Sequence, residues 1–523
     1  MKKMITMSLV AAATTFAFAS TADDIANLQS QIDTLKTKQG KINAQSANDN
    51  IKWGVDLRTA YDNINYDMAD GSTRGNDSLL SMRLWLNMAY AADEHNIFKG
   101  QLSMNKAFGA DFRDPFNTPG GNRALSMGSM FDWTGNEALS DNSLKVRQAY
   151  WLYLGDKAFG ADIPWTFSIG RRPSTNGFIA NLSQDDAAQS PLAHTINVEF
   201  DGLSSKLDLS NVTGVPGMSF KVCLGYGSTN ATPMFVDATP YAQEDDQLND
   251  IKLAGFIFEP YNDGQYIVKA QYYKAFDLPG MDMDMTTGEP LGFKQYGDMS
   301  GATLSVLIDG LTEDGYFADA KLFGSFAWSE TDPYAGEAML GSADSESGTS
   351  YWFGAYLPVS DGESENYGTI GLEYNHGSQY WRPFTYAEDT MIGSKIAARG
   401  DAWEANYTYQ INDALSLQAR YVNIDYEYTG SNGFFGNTSG AAMKIDDVKE
   451  GAGMWQQLGG TADPMSGQTV YMNLAQMQGM NPMDPNTQAA LMPQVQQMGM
   501  AAAFLPSVVE SAQDFRFYLR YRF

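Results

Sequence analysis

The sequence predicts an all-β fold, a transmembrane antiparallel up-and-down β-barrel of about 16 strands, from three observations. The chain begins with a segment that resembles a secretory signal, and it ends in a strand of alternating apolar and polar residues. Its mean hydropathy is −0.33, although 13% of its residues are aromatic. A polar average with many aromatic residues is typical of a barrel, because only every second wall residue faces lipid. A secreted soluble β-protein is the competing class.

Residues 1–19 have the pattern of a cleaved signal peptide. Lys2 and Lys3 give this segment a positive start, a short apolar core follows, and Ala17 and Ala19 form a small-x-small cleavage motif. A membrane anchor is the alternative, but the apolar run is shorter than the ~20 residues that a spanning helix needs. We therefore expect an exported protein.

The C-terminal residues 514–523 alternate between two kinds of side chain. One face of the predicted strand carries Phe515, Phe517, Leu519, Tyr521 and Phe523. The other face carries Arg516, Tyr518, Arg520 and Arg522. A barrel strand requires this alternation, since one face meets lipid and the other meets a polar lumen. The terminal Phe523 resembles the signal that the barrel-assembly machinery of the outer membrane recognises, so this machinery is an expected partner.

Composition excludes several classes of function. The formal net charge of −28 disfavours nucleic-acid partners, because these require basic patches. A single cysteine, Cys223, cannot form an internal disulfide or a cysteine metal cluster. The three histidines are His95, His194 and His376, and none has an obvious nucleophile beside it in the sequence. Barrel hydrolases need a nucleophile and a histidine together, so we expect no enzymatic activity, no cofactor and no metal site.

Residues 20–50 are predicted to form a periplasmic helix followed by a polar linker. Apolar residues recur at heptad spacing at Ile25, Leu28, Ile32, Leu35 and Ile42. This spacing is typical of a coiled coil, and so short a helix would be stabilised by self-association. A trimeric coiled coil beneath a trimeric barrel is the first interpretation. An amphipathic helix that lies against the barrel or the membrane is the alternative.

The barrel is predicted to occupy residues 51–523. We predict strands at 52–66, 78–91, 96–108, 143–155, 163–172, 194–210, 217–227, 250–260, 264–276, 300–309, 315–328, 349–358, 366–376, 399–411, 414–428 and 514–523. Every second connection between them is short, which matches the short periplasmic turns and longer outer loops of bacterial barrels. An even number of strands follows, and one missed hairpin would change the number to about 14 or 18.

Loop 109–142 is the first candidate for a functional element, because a loop this long is usually functional or disordered. It carries the candidate constriction residues Asp111, Asp114, Asp132, Glu137 and Asp141. Opposite it, the candidate pore-lining residues are Arg58, Arg83, Arg147, Arg171, Arg420, Arg516 and Arg520. Acidic loops that face a basic wall would create a transverse field that sets ion selectivity. Alternatively, the arginines pair with wall carboxylates and fill the lumen.

Residues 429–513 form the longest predicted outer loop, and they are rich in Met and Gln. Apolar residues near 488–505 predict a short helix within it. Methionine thioethers bind Cu(I), but His and Cys are absent from this segment. A lumen plug or a surface cap packed by adaptable methionine side chains fits the composition better than a copper site.

Four features carry a resemblance to a known family. They are Lys2-Lys3, the short coiled coil, Gly170-Arg171-Arg172-Pro173-Ser174 and Tyr521-Arg522-Phe523. With them, the chain resembles an uncharacterised porin-like outer-membrane β-barrel family of epsilon-type proteobacteria. The resemblance covers most of the chain and implies a location in the outer membrane of a Gram-negative bacterium, but no established substrate. Trimeric 16-stranded porins are a looser comparison, from which the Met-rich loop departs.

Two functions remain open from the sequence. The first is an outer-membrane porin that allows passive diffusion of ions and small hydrophilic solutes through an aqueous lumen, which arginines line and acidic loops constrict. A homotrimer surrounded by outer-membrane lipid is the expected assembly. The second is a plugged surface-binding or adhesion barrel that acts through its long acidic outer loops. A trimer resistant to detergent would favour the first, and a monomer without conductance the second.

Overall fold

Sixteen antiparallel strands close into a single barrel, which confirms the predicted fold class and the predicted number of strands. The computed structural model describes residues 51–110, 139, 142–172, 175–229, 231–232, 243–244, 249–283, 290–360, 366–385, 390–431, 441–463 and 465–523. Each strand pairs with its neighbour in the chain, and the last strand pairs with the first. In this closure Asp62 lies opposite Arg516, and Arg58 lies opposite Arg520.

The strands are numbered in chain order. They are β1 (Lys52–Met68), β2 (Thr73–Ala91), β3 (Asn96–Ala107), β4 (Lys145–Gly155), β5 (Trp165–Arg172), β6 (Phe200–Asp208), β7 (Ser219–Ser228), β8 (Ile251–Asn262), β9 (Tyr266–Met283), β10 (Pro290–Asp309), β11 (Lys321–Pro333), β12 (Ser347–Ser360), β13 (Asn366–Gly377), β14 (Gly400–Asn412), β15 (Leu415–Tyr426) and β16 (Val509–Arg522).

The wall alternates as the C-terminal sequence predicts. In β16, Phe517 is 44% exposed on the outer face, whereas Arg516 is 1% exposed on the inner face. Phe523 lies just beyond the strand, but its backbone N–H still donates to the carbonyl of Val55 over 3.0 Å. The barrel therefore has an apolar outer surface and a largely polar inner surface, as a barrel in lipid requires.

Several strand boundaries differ from the prediction. The strand predicted at 194–210 begins only at Phe200, because residues 194–199 belong to a loop inside the barrel. The strand predicted at 315–328 begins at Lys321, since Tyr316–Asp319 form a 3₁₀ turn. In addition, β10 begins at Pro290 rather than at 300.

Within the described parts of the chain, two connections fold into the barrel. The first inward loop is residues 175–199, between β5 and β6, and the second inward loop is residues 378–385 and 390–399, between β13 and β14. They meet in a short parallel ladder that pairs Phe384 with Ile196 and Thr385 with Asn197. Each inward loop therefore supports the other inside the lumen.

A helical cap lies between β15 and β16, at the end of the barrel opposite the first residue of β1. It comprises α1 (Ile445–Gln457), α2 (Ser466–Met477) and α3 (Pro485–Phe504). Asp484 caps α3 by accepting a hydrogen bond from the backbone N–H of Asn486, which satisfies a free donor of the first turn. The cap has its own core, formed by Trp455, Leu458, Val470, Tyr471, Leu474, Ala475, Leu491, Val495 and Met498. The sequence predicted only the last of these helices.

Among the described residues, no helix combines the length and the apolar character that crossing a membrane requires.

Candidate functional site

The predicted pore-lining arginines lie mainly on one side of the barrel. Six of the seven are on the inner face, each at most 6% exposed: Arg58, Arg83, Arg147, Arg420, Arg516 and Arg520. They belong to β1, β2, β4, β15 and β16, which are near neighbours around the closed sheet. We call these six residues the arginine wall. Whether they line a conducting pore stays a prediction.

Carboxylates pair with the arginine wall. Arg516 Nε lies 2.5 Å from Asp62 Oδ1, and Arg420 Nη2 lies 2.9 Å from Glu404 Oε2. Arg520 Nε donates to both carboxylate oxygens of Asp56. Because buried charges need such partners, the pairing agrees with the interpretation that these arginines fill the lumen. The predicted transverse field stays a prediction.

Arg171 is the exception among the seven arginines. It shares the outward phase of Ile169, which is 46% exposed, and it forms an ion pair of 3.2 Å with the exposed Asp201. The neighbouring Arg172 takes the inner phase, where its guanidinium carbon lies 5.0 Å from the ring centroid of Tyr150. Arg171 therefore takes the outer phase of β5, and its inclusion among the pore-lining residues stays a prediction. Two arginines stand side by side at this strand end, and the sequence alone does not indicate which of them faces the lumen.

An aromatic ring also belongs to the arginine wall, and the sequence analysis missed it. The guanidinium carbons of Arg83 and Arg147 lie 3.5 Å and 4.3 Å from the ring centroid of Trp85. Such cation–π contacts are worth about 2 kcal/mol or more where the groups are desolvated. Trp85 is 5% exposed, so it fixes the positions of both arginines.

The predicted constriction residues and the predicted coiled coil lie outside the described residues. These are Asp111, Asp114, Asp132, Glu137 and Asp141, together with Ile25, Leu28, Ile32, Leu35 and Ile42. The predicted signal peptide at 1–19 and the linker up to residue 50 lie outside them as well.

The first inward loop makes contacts on two opposite sides of the barrel. On the side of β16 and β15, the backbone carbonyls of Gln184 and Ser183 accept hydrogen bonds from Arg520 and Gln418, each over 2.7 Å. On the side of β9, Gln271 Nε2 donates to Thr195 Oγ1 over 2.9 Å. These strands lie far apart in the 16-strand order, so the loop crosses the lumen.

Apolar side chains hold the far part of the first inward loop against β10 to β12. Ile179 and Leu192 are at most 1% exposed, and they pack in one cluster with Phe323 and Trp352 of the wall. Burying an aliphatic side chain of this size contributes roughly 1.5–3 kcal/mol. This part of the lumen is therefore a packed core.

A buried ion cluster fixes the second inward loop to the wall. Lys395 Nζ lies 2.6 Å from Glu373 Oε2 of β13 and also contacts Glu404 of β14. Both carboxylates and the ammonium are at most 3% exposed. Trp381 adds a hydrogen bond of 2.8 Å from its indole N–H to the carbonyl of Ile396. No local sequence pattern indicates this cluster, since its members are far apart in the chain.

His194 lies at the centre of the packed region, between the two inward loops and the wall. Its Nδ1 lies 2.8 Å from Ser325 Oγ, and its Nε2 lies 2.9 Å from Ser350 Oγ. Burial lowers the pKa of His194 to about 3, so the ring is neutral. A serine hydroxyl beside a histidine resembles part of a hydrolase site. Here, however, His194 and Ser350 are 0% exposed, which excludes contact with a substrate in this conformation.

A polar cavity of about 410 Å³ opens beside the arginine wall near the chain termini of the barrel. It is lined by Val55, Asp56, Trp85, Asn87, Gln101, Arg147, Asn176, Asp186, Ala187, Gln189, Asp413, Arg520, Arg522 and Phe523. Both charge signs occur in this lining, and Asp186 is shared by Arg520 at 2.7 Å and Arg522 at 3.0 Å. The cavity can therefore hold water and small polar solutes next to fixed charges.

A family model described as "Protein of unknown function (DUF3373)" matches residues 73–472. The chain belongs to this family. Its description names no activity, which agrees with the uncharacterised family that the sequence resembles. The expected origin in epsilon-type proteobacteria stays a prediction.

The comparison with curated proteins gives no match. Similar solved structures include in-vitro folded OmpT, an outer membrane protein of Vibrio cholerae, at 12% identity and a TM-score of 0.41, with 90% of this chain and 97% of that chain covered. OmpF of Salmonella typhi in complex with daunomycin is 10% identical, with a TM-score of 0.41 and coverage of 91% and 99%. An anion-selective porin from Comamonas acidovorans is 11% identical, again with a TM-score of 0.41 and coverage of 91% and 99%. Similarities of this size carry no information on solute or selectivity.

Proposed function

We propose that this protein is a porin of the outer membrane of a Gram-negative bacterium, through which ions and small hydrophilic solutes diffuse passively. The path runs along the arginine wall and through the polar cavity beside it. The observation that carries the proposal is the division of the lumen, since apolar packing fills one side while charged and amide side chains line the other. Water and hydrophilic solutes favour the polar side.

In this proposal the first and second inward loops restrict the width of the lumen. The constriction expected from the acidic residues of loop 109–142 stays a prediction. Because the arginines are paired with carboxylates such as Asp56 and Asp62, the fixed charges nearly cancel along the path. A narrow channel with weak charge selectivity is the expected behaviour. A homotrimer in outer-membrane lipid, inserted by the barrel-assembly machinery, belongs to the same proposal.

Single-channel conductance in a planar bilayer, with the reversal potential in a salt gradient, tests the proposal. We expect small, long-lived steps, which a trimer would show in groups of three, and a reversal potential close to zero. Arg147→Gln, at the cavity, should move the reversal potential toward cation preference. Arg172→Gln, on the inner face but outside the cavity, is the matched control and should leave it unchanged. An inserted protein that shows no steps would overturn the channel proposal.

A plugged barrel that binds partners at its surface is the second candidate. The observation in its favour is the dry packing of the inward loops, in which Leu192, His194 and Trp381 are 0% exposed. The helical cap would then be the active surface, together with the long outer loops. Absence of conductance, together with a folded monomer in detergent, would support this candidate.

A further inference from the structure

A histidine and two carboxylates meet on the outer face of the barrel rim. His376 lies near the end of β13, Asp401 near the start of β14, and Glu427 directly after β15. One ligand atom of each residue lies within 4.8 Å of the other two. Sequence analysis predicted no metal site, because these three residues are far apart in the chain and come together only through strand pairing.

Neighbouring aromatic side chains hold two of these groups in place. Tyr374 O–H donates to Asp401 Oδ1 over 2.5 Å, and the same oxygen lies 2.9 Å from His376 Nδ1. The ring of Tyr351 stacks on the imidazole at a centroid distance of 5.1 Å and an interplanar angle of 27°. Supporting contacts of this kind orient ligands before a metal ion binds.

The charge around the cluster also favours a cation. Asp425 of β15 lies directly opposite Asp401 in the sheet, and both residues are on the outer phase. Like charges directly opposite each other on neighbouring strands are destabilising. A bound cation would reduce this repulsion.

We propose that His376, Asp401 and Glu427 form a binding site for a divalent transition-metal ion of the zinc type. One imidazole nitrogen and two carboxylate oxygens suit such an ion, whereas Ca²⁺ and Mg²⁺ prefer oxygen ligands alone. Tetrahedral ligand bonds of about 2.0–2.2 Å place two ligand atoms roughly 3.3–3.6 Å apart, so the outermost pair of atoms must approach each other by up to ~1.5 Å. Glu427 is exposed, so its side chain has room to make this movement.

The site also links the barrel to the helical cap. The backbone carbonyl of Glu427 accepts a hydrogen bond of 2.9 Å from the N–H of Ile445, the first residue of α1. An ion held by Glu427 and by the ends of β13 and β14 would therefore fasten the cap to the rim. Three protein ligands leave at least one coordination position for water on the outside.

Binding of Zn²⁺ to the detergent-solubilised full chain tests this proposal, with isothermal titration calorimetry as the readout. We expect one site that saturates with Zn²⁺, with no comparable site for Mg²⁺. Glu427→Gln should weaken binding by about 10- to 100-fold, the range found even when only a supporting partner of a metal ligand is removed. His376→Gln should have at least this effect, and Tyr374→Phe should have a smaller one.

His95→Gln is the matched control, because this half-buried histidine lies at the opposite end of the barrel, in the turn before β3. It should bind Zn²⁺ as the unaltered chain does. Two results would overturn the proposal: a chain without a saturable Zn²⁺ site, or unchanged affinity in Glu427→Gln. Since Glu427 is exposed, this variant remains informative if His376→Gln does not fold, and protection of the cap from protease by Zn²⁺ gives an independent readout.

Discussion

The two sides of the lumen differ in the size and charge of their inward residues. On β10 to β12 many of these residues are small and carry hydroxyl groups, such as Thr303, Ser305 and Ser325, and uncharged aromatic residues such as Phe323 and Trp352 lie among them. On β1, β2, β4, β15 and β16 they include the six residues of the arginine wall. The small residues leave room that the inward loops fill, and the long arginines occupy their own space together with their carboxylate partners.

The comparison teaches that one strand pattern can produce two different interiors. All of these strands alternate between inner and outer faces, so the periodicity of the sequence cannot distinguish the two sides. Hydroxyl groups at the wall hydrogen-bond the loop, as Thr303 Oγ1 does with Thr195 Oγ1 over 2.6 Å, and leave no charge that requires water. The paired arginines keep the other side of the lumen polar, because a buried charge is tolerated only with partners.

Removing the first inward loop should have the largest effect, an increase in single-channel conductance. Replacing residues 178–195 by a short Gly-Ser linker removes the contacts on both sides of the lumen, and single-channel conductance should rise severalfold. The barrel itself should stay closed, which unchanged heat-dependent migration in gel electrophoresis would show. Equal conductance with and without this segment would mean that the loop does not limit the path, and that the arginine wall alone sets its width.

Removing the ammonium group of the buried ion cluster should have the next largest effect, a loss of stability of the second inward loop. Lys395→Met leaves Glu373 and Glu404 buried side by side, and breaking such a pair costs about 3–5 kcal/mol. Hydrogen exchange of residues 390–399 should become faster by the corresponding factor, because the second inward loop opens more often.

A second substitution distinguishes the loss of the lysine charge from the loss of its side-chain packing. Lys395→Met combined with Glu373→Gln removes one of the two carboxylates, so it should recover part of the lost protection. If the double variant exchanges as fast as Lys395→Met, the loss arises from the missing side-chain packing instead.

Acid should weaken the packed side selectively. His194 has a pKa of about 3 in the folded loop and an ordinary value of 6.5. Below pH 6.5 the released loop binds a proton that the packed loop does not bind. Stability therefore falls as the pH decreases toward 3, by about 1.4 kcal/mol for each pH unit. Conductance should accordingly rise at low pH.

His194→Gln tests this dependence on pH, since it keeps hydrogen-bonding capacity without the titration. Its conductance should vary less between pH 6.5 and pH 4 than that of the unaltered chain. His95→Gln, which changes the histidine in the turn before β3, should leave the dependence of conductance on pH as it is in the unaltered chain. If the conductance of His194→Gln changes with pH as strongly as that of the unaltered chain, the carboxylates paired with the arginine wall, rather than His194, cause the dependence on pH.

The sequence predicted the wall much better than the interior. Alternation in β16 placed Arg516 and Arg520 inside and Phe517 outside, because a strand must send successive side chains to opposite faces. The first inward loop escaped prediction, since Ile196 and Val198 alternate with polar residues as in a strand. In the structure the intervening Asn197 is buried as well, so both faces of this segment are packed.

The residues of the candidate site also fall into a group that the sequence predicted and a group that it did not. The positions of the six residues of the arginine wall follow from strand phase. At the end of β5, where Gly170 has a φ of 128°, the sequence did not show which of Arg171 and Arg172 takes the inner phase. The partners of the inward loops, such as Glu373 for Lys395, depend on contacts between distant strands. Local patterns carry no information on such contacts, because any of the wall carboxylates could satisfy the lysine.

Breaking an ion pair outside the lumen should change hydrogen exchange least of all, and the comparison with Lys395 shows how much burial contributes. Lys449 Nζ lies 2.7 Å from Glu510 Oε1, almost the same distance as between Lys395 and Glu373, but its side chain is 38% exposed rather than 3%. Exposed pairs contribute about 0–1 kcal/mol because water solvates both charges. Lys449→Ala should therefore change hydrogen exchange in α1 very little. If Lys449→Ala loses as much protection from hydrogen exchange as Lys395→Met does, distance rather than burial determines the energy of these ion pairs. The physical basis for treating the two sides of the lumen as different would then be lost.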